Sequence, residues 1–216
     1  HPRADVKKIP YQTLPWKPTE TGLSLQFEGK EYKLPIRGAH NVQNLSGALK
    51  IIQALQLDPH AFLSQLHNFS GAARRMECLL DLPEKNFTVF RDFAHSPSKV
   101  KATVEAIKSS YPNRRFVAAL ELHTYSSLNP DFIPGYKDSL APADQSMVFY
   151  DPKALAIKGP PPLSPEAIAR AFALNNGEVA SNTTDLETWK NKLSTRDCVW
   201  LLMSSGNWGG LTWLDL

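Results

Sequence analysis

The sequence is poor in cysteine, in long apolar runs and in charge of one sign, and each shortage excludes something. Only Cys78 and Cys198 occur among 216 residues, with no C-x-x-C or other metal-ligand spacing. A disulfide-stapled scaffold and a thiolate zinc site are thereby excluded, and two buried, inert thiols in a reducing compartment are expected. No apolar stretch approaches the roughly 18 residues that cross a bilayer, and the opening His1-Pro2-Arg3-Ala4-Asp5 is no signal peptide. The expectation is a cytoplasmic protein with no membrane partner. Lys and Arg number 24 against 21 Asp and Glu, a net +3 without a block of like charge, so nucleic acid is not an expected partner. Also missing are G-x-x-x-x-G-K-[ST], a G-x-G-x-x-G after a first strand, G-x-S-x-G and H-E-x-x-H. The chain by itself holds no complete phosphoryl-, hydride- or acyl-transfer machinery, and a Rossmann dehydrogenase is disfavoured.

What is present reads as ordinary globular text, with 42% hydrophobic and 21% charged residues. Five prolines (2, 10, 15, 18 and 35) interrupt any helix in the first forty residues. Leu23–Phe27 alternates at the strand period, and Glu28-Gly29-Lys30 turns it into Glu31–Ile36, which predicts a β-hairpin at the edge of a larger sheet. Apolar residues from Val42 to Leu57 recur every three or four places, and Asp58-Pro59 opens a second helix running towards Phe69. After Ser70-Gly71, strands at 76–82 and 87–93 give way to an alternation. Helices are expected at 98–109, 132–140, 165–174 and 185–193, and strands at 115–122, 147–150, 178–181 and 198–203, with Pro160-Pro161-Pro162 as a stiff connector. Apolar strands alternating with helices imply a parallel sheet buried on both faces. The predicted fold is therefore α/β: a Rossmann-like, mostly parallel sheet with flanking helices over about 72–216, preceded by a hairpin and helices over 1–71.

Ligands of such sheets lie beyond the carboxyl ends of the strands, so polar residues there are the candidates. Asn41 and Asn44 begin a helix, where either can serve as N-cap. Alternatively, two carboxamides one turn apart suit the N6 and N7 edge of adenine. His40 can bond a nearby carbonyl. Arg75 beside Glu77 is either a surface pair or a phosphate fork. Asp92 ends an apolar strand, as a helix cap or an acceptor for a ribose diol, with His95 facing the same crevice or tethering its own loop. His123, Tyr125 and Ser127 follow the next strand and offer an imidazole and hydroxyls. Metal binding there is not expected, since no second ligand stands at a usual spacing. Ser204–Gly210, with Ser205 and Asn207, is either a glycine turn or a nest of amides for an anion.

Four stretches, in order and spacing, resemble the Mur ligase family, the ATP-dependent amide ligases of peptidoglycan synthesis. They are His40-Asn41-Val42-Gln43-Asn44 (H-N-x-x-N), Gly71 to Glu77 (G-x-x-x-R-x-E), Asp92-Phe93-Ala94-His95-Ser96-Pro97 (D-[YF]-A-H-x-P) and Met203-Ser204-Ser205-Gly206-Asn207. The match runs from near Gly38 to Leu216. Phe93, the Arg74-Arg75-Met76-Glu77 run and the Met203–Asn207 ending are most similar to the murein peptide ligase branch. That branch joins UDP-N-acetylmuramate to L-alanyl-γ-D-glutamyl-meso-diaminopimelate. The alanine-adding branch, the alternative, has a basic residue where Ser127 stands and a second His where Ser96 stands.

The resemblance implies that residues 1–71 end a central ATPase domain and that 72–216 form the C-terminal domain. It implies ATP binding through His40, Asn41, Asn44, Arg75, Asp92 and His95, and an acceptor pocket at His123, Tyr125, Ser127, Ser205 and Asn207. It implies an acyl-phosphate route, in which ATP phosphorylates the muramoyl carboxylate and the acceptor amine then displaces phosphate. The family's P-loop and Mg²⁺ ligands have no counterpart in this sequence, so the expectation is a fragment, inactive alone and partnered by its own N-terminal and central domains. A stand-alone, non-catalytic nucleotide-binding module is the rival reading.

Overall fold

The computed structural model describes residues 8–69, 72–124, 127, 129–152 and 163–214. Tyr125 and the expected connector at 160–162 lie outside them. The chain divides into two units, His1–Ser70 and Gly71–Leu216.

In the first unit β1 (Trp16–Thr19), β2 (Gly22–Phe27) and β3 (Lys30–Leu34) form an antiparallel sheet in the order β1-β2-β3. The expected hairpin is β2–β3, closed where Phe27 faces Lys30, with Glu28 and Gly29 both at positive φ (48° and 79°). Positive φ at both central positions is what a two-residue hairpin turn of matching twist needs. Among the described residues this sheet has three strands; the strand β1 was not anticipated. Pro18 hid it: proline cannot donate to a ladder, but it is tolerated on an edge strand. Leu23, Leu25 and Leu34 pack with Val42, Leu45 and Leu49 of α1 (Ala39–Ala54) and Leu63 of α2 (Pro59–Gln65). Asp58 caps α2 by accepting the amide of His60 at 2.8 Å.

The second unit contains a six-stranded sheet in the order β4-β5-β9-β6-β7-β8. Its strands are β4 (Glu77–Leu82), β5 (Phe87–Asp92), β6 (Arg115–Leu122), β7 (Gln145–Tyr150), β8 (Gly177–Ala180) and β9 (Cys198–Met203). Only β4 is antiparallel to its neighbour; every other pairing is parallel. Between strands lie α3 (Pro97–Ser110), α4 (Pro165–Phe172) and α5 (Thr183–Lys190). The two-residue period sorts the core into two layers. Phe116, Ala118, Leu120, Val199 and Leu201 face Val104 and Ile107 of α3 and Ile168 and Phe172 of α4. Val117, Ala119, Trp200 and Leu202 face Leu186 and Trp189 of α5 and the rings of Trp208 and Trp213. The mostly parallel α/β fold expected from the sequence is the fold observed.

Two local expectations fail. The helix at 132–140 is a single 3-10 turn, Ile133–Tyr136, because Pro134 and Gly135 interrupt longer helical hydrogen bonding. Cys78 is exposed, since the edge strand β4 leaves it to solvent. Cys198 is buried as expected, its thiol pushed up mainly by burial.

Candidate functional site

Register places the candidate residues of the second unit along one edge of the sheet. Asp92, the last residue of β5, pairs with Met203 of β9, and Met203 pairs with Leu120 of β6. The carboxyl ends of three adjacent parallel strands are thus level, and Asp92, His95, His123, Ser205 and Asn207 all lie on or just beyond them. Antiparallel β4, with Glu77 opposite Arg91, brings Arg75 to the same edge from the loop preceding it.

Asp92 is buried, with 5% exposure. Its Oδ2 accepts the amide of Met76 and its Oδ1 the amide of Ala94, both at 2.7 Å. The carboxylate fastens the loop before β4 to the loop after β5. Arg74 and Met76 adopt left-handed backbone conformations (φ 57° and 49°), which cost about 1–2 kcal/mol for residues with a Cβ. These bonds hold them there. Glu77 adds a second fastening: it accepts the amide of Arg74 at 2.8 Å and Arg91 Nη2 at 2.9 Å. The Arg91 bond, then the Arg74 amide, hold its carboxyl below the usual carboxylate range.

The result is a fixed place for Arg75, whose guanidinium carbon lies 5.2 Å from the centre of the Phe93 ring. His95 meets the same ring edge-on, with centroids 5.2 Å apart. Its Nδ1 lies 2.8 Å from the Phe93 carbonyl oxygen. A carbonyl can only accept, so Nδ1 carries the proton and Nε2 is the nitrogen left for a ligand. Tyr136 donates its hydroxyl to the His95 carbonyl, which ties the loop from below. His95 thus tethers its loop through Nδ1, the reading its hydrogen bond bears out.

The acceptor candidates are arranged differently from one another. His123 is half exposed. Ser127 is buried and turned onto its own loop, its hydroxyl donating to the Thr124 carbonyl at 2.8 Å. Asn207 is exposed, and the Ser205 hydroxyl is buried with no hydrogen-bond partner among the described residues. Sequence reasoning missed Glu121. This carboxylate is only 4% exposed, accepts the Ser204 hydroxyl and takes the Trp208 amide at 3.0 Å on the same oxygen, Oε2. Its signal was legible: one acid inside the apolar run Phe116–Leu122. The amide nest expected of Ser204–Gly210 already holds an anion, and that anion is the protein's own Glu121.

In the first unit, α1 begins three residues earlier than the periodicity suggests, and Gly38 precedes it without a side-chain cap. His40, Asn41 and Asn44 therefore lie within its first turns, and neither Asn is the N-cap. Asn41 Nδ2 donates to the Arg37 carbonyl at 2.8 Å, leaving Oδ1 and the second amide proton, while Asn44 is exposed. Among the described residues no three His, Cys, Asp or Glu side chains converge as metal ligands, and no helix is long and apolar enough to cross a membrane.

No protein-family model matches the chain. It is 32% identical over 117 residues to a UDP-N-acetylmuramate–L-alanine ligase of Limosilactobacillus reuteri, covering 54% of this chain and 26% of that protein. It is 28% identical over 189 residues to the enzyme of the same name from Coxiella burnetii, covering 83% of this chain and 39% of the relative. The chain thus spans at most about two fifths of these relatives. Among solved structures, the UDP-N-acetylmuramate–alanine ligase of Thermotoga maritima superposes with a TM-score of 0.71 at 20% identity, over 94% of this chain and 44% of that one. A murein peptide ligase of Psychrobacter arcticus gives 0.56 at 22%, over 89% and 40%. The structural likenesses are likenesses of fold, and the sequence likenesses are to named ligases. Over part of their length, then, the chain is similar in sequence and in fold to ligases of the Mur family.

Proposed function

We propose that this chain forms part of an ATP-dependent amide ligase that joins UDP-N-acetylmuramate to an amine acceptor, and that it supplies nucleotide contacts and the acceptor pocket. The observation that carries the reading is the Arg75–Phe93–His95 group at the carboxyl edge of the sheet, built on the D-F-A-H-S-P run. Arg75 offers a planar fork and His95 Nε2 a second polar contact, both spaced by one ring, a donor set suited to phosphate oxygens. In the other unit, Asn41 and Asn44 retain amide donors and acceptors one helical turn apart, which fits a purine edge. Asp92 acts through the loops it fastens. ATP and UDP-N-acetylmuramate are substrates in this reading. The γ-phosphoryl group passes to the muramoyl carboxylate with release of ADP, and the amine then forms the amide with release of phosphate. No ligand set for magnesium gathers among the described residues, and in this reading the domains that complete the enzyme would hold it. In this reading residues 1–71 close a central ATPase domain and 72–216 are the C-terminal domain, working in the cytoplasm with the domains that complete the enzyme.

For the acceptor, the absence of a basic side chain at Ser127 and the glycine-rich Ser204–Gly210 wall support L-alanyl-γ-D-glutamyl-meso-diaminopimelate. L-alanine is the second reading, favoured by the names of the curated relatives and by the higher TM-score of the alanine ligase. Calorimetric titration with ADP tests the nucleotide site: Arg75→Ala weakens binding at least about fivefold, the effect of one charge-assisted contact of about 1 kcal/mol or more. Equal affinity refutes that role. Competing tripeptide against L-alanine in the complete enzyme, with the product identified by mass, decides the acceptor.

A further inference from the structure

Glu121 is the last-but-one residue of β6, on the face that carries Val117 and Ala119. Burying a carboxylate is costly unless its oxygens are served. Here the service is uneven. Oε2 accepts both the Ser204 hydroxyl and the Trp208 amide. Oε1 accepts no hydrogen bond among the described residues. The neighbouring ring nitrogen is His123 Nδ1 at 3.7 Å, beyond hydrogen-bonding length, on a side chain that is 44% exposed. A carboxylate has about four lone-pair sites, so one whole oxygen remains to be used.

The loop after β9 passes close against this carboxylate. A Cβ on Gly206 would stand 2.8 Å from both Glu121 oxygens and 2.7 Å from His123 Cγ, so only glycine lets the loop pass without covering them. The neighbouring residue Ser205 carries a buried hydroxyl with no partner among the described residues. The Gly206 and Trp208 amides, which could have attracted an anion, are already spent on Ser204 Oγ and Glu121. This corner of the fold therefore gathers acceptors around a carboxylate, and their complement is a cationic N–H donor.

We infer that Glu121 Oε1, with the Ser205 hydroxyl, forms a binding site for the primary ammonium group of an amino-acid or peptide acceptor, and that Ser204 and Trp208 position the carboxylate for it. The inference rests on the ligase reading for the acceptor's identity, but not for the site's chemistry. It also gives the ends of the acceptor different places: its amine lies at Glu121, and its carboxylates are bound elsewhere.

The test follows the Gly206 and Trp208 backbone amides by NMR while the chain is titrated with L-alaninamide, with N-acetyl-L-alaninamide and with the tripeptide L-Ala-γ-D-Glu-meso-diaminopimelate. The free amines shift these two signals, and N-acetylation weakens the effect at least about tenfold, the size of one lost charge-assisted contact. Glu121→Gln removes the preference for the free amine. If L-alaninamide shifts the loop and the tripeptide does not, the peptide-acceptor reading fails while the ammonium site stands. If the acetylated and free amines behave alike in the unaltered chain, the inference is overturned, whether or not Glu121→Gln folds. If Glu121→Gln folds and still prefers the free amine, it is overturned as well.

Discussion

Replacing Asp92 by Asn separates a fastening from a ligand contact more sharply than deleting the side chain. The residue is buried, and each carboxylate oxygen accepts one backbone amide at 2.7 Å. Asn keeps the volume but only one acceptor. If that oxygen stays on Ala94, the amide group meets the Met76 N–H donor to donor. Leaving a buried donor unsatisfied costs about 1–3 kcal/mol, and the charge-assisted character of the surviving bond is lost as well. Met76, left-handed at φ 49°, then has no bond holding a conformation that costs about 1–2 kcal/mol. The expected loss is about 3 kcal/mol, or roughly 6–12 °C in Tm for a unit of this size. The assay is thermal unfolding without nucleotide, followed by far-ultraviolet circular dichroism. A variant melting within about 1 °C of the parent refutes the fastening and makes Asp92 a ligand contact only.

Gly206→Ala forces a Cβ to 2.7–2.8 Å from His123 Cγ and the Glu121 oxygens. His123 can swing outward but buried Glu121 cannot, so the expected cost is about 1–3 kcal/mol, and an unchanged urea midpoint contradicts it. Glu77, held below its ordinary value of 4.5 chiefly by Arg91, contributes stability that is present above that value and is lost as pH falls through the lower folded one. Glu77→Gln should therefore flatten the loss of stability below pH 4.5, by little, since both side chains are more than a third exposed; unfolding curves of the two proteins with identical slopes in that range would refute it.

The α/β layering was legible because an apolar strand such as Arg115–Leu122 is buried on both faces and leaves an unambiguous run; β6 and β9 fall where the sequence put them. Pro18 and the Pro134-Gly135 pair misled in opposite directions, one hiding an edge strand and the other breaking a helix that the apolar spacing suggested. At the site, the motif text located Asp92 and His95 and offered the loop tether that His95 makes, but not the two amides that Asp92 holds. Whether Asp92 faces a ligand or two amides depends on a loop sixteen residues earlier in the chain. Glu121 is not among the polar residues that follow strands, because this acid stands inside one. Its partners Ser204 and Trp208 are more than eighty residues away, a distance no local pattern spans.

The position of β9 has a consequence for how the protein is made. Of the six described strands of its sheet it is the last to be synthesised, yet it pairs with β5 on one side and β6 on the other. Until Cys198–Met203 is synthesised, those two strands each present an open inner edge with strongly apolar faces. A sheet closed by its final strand cannot be completed during elongation, and its defining contacts join segments far apart in sequence, which slows folding and leaves a sticky intermediate. Nascent chains stopped before residue 198 should therefore hold chaperones and aggregate, and those extended beyond Trp213, whose ring packs against Trp200, should release them.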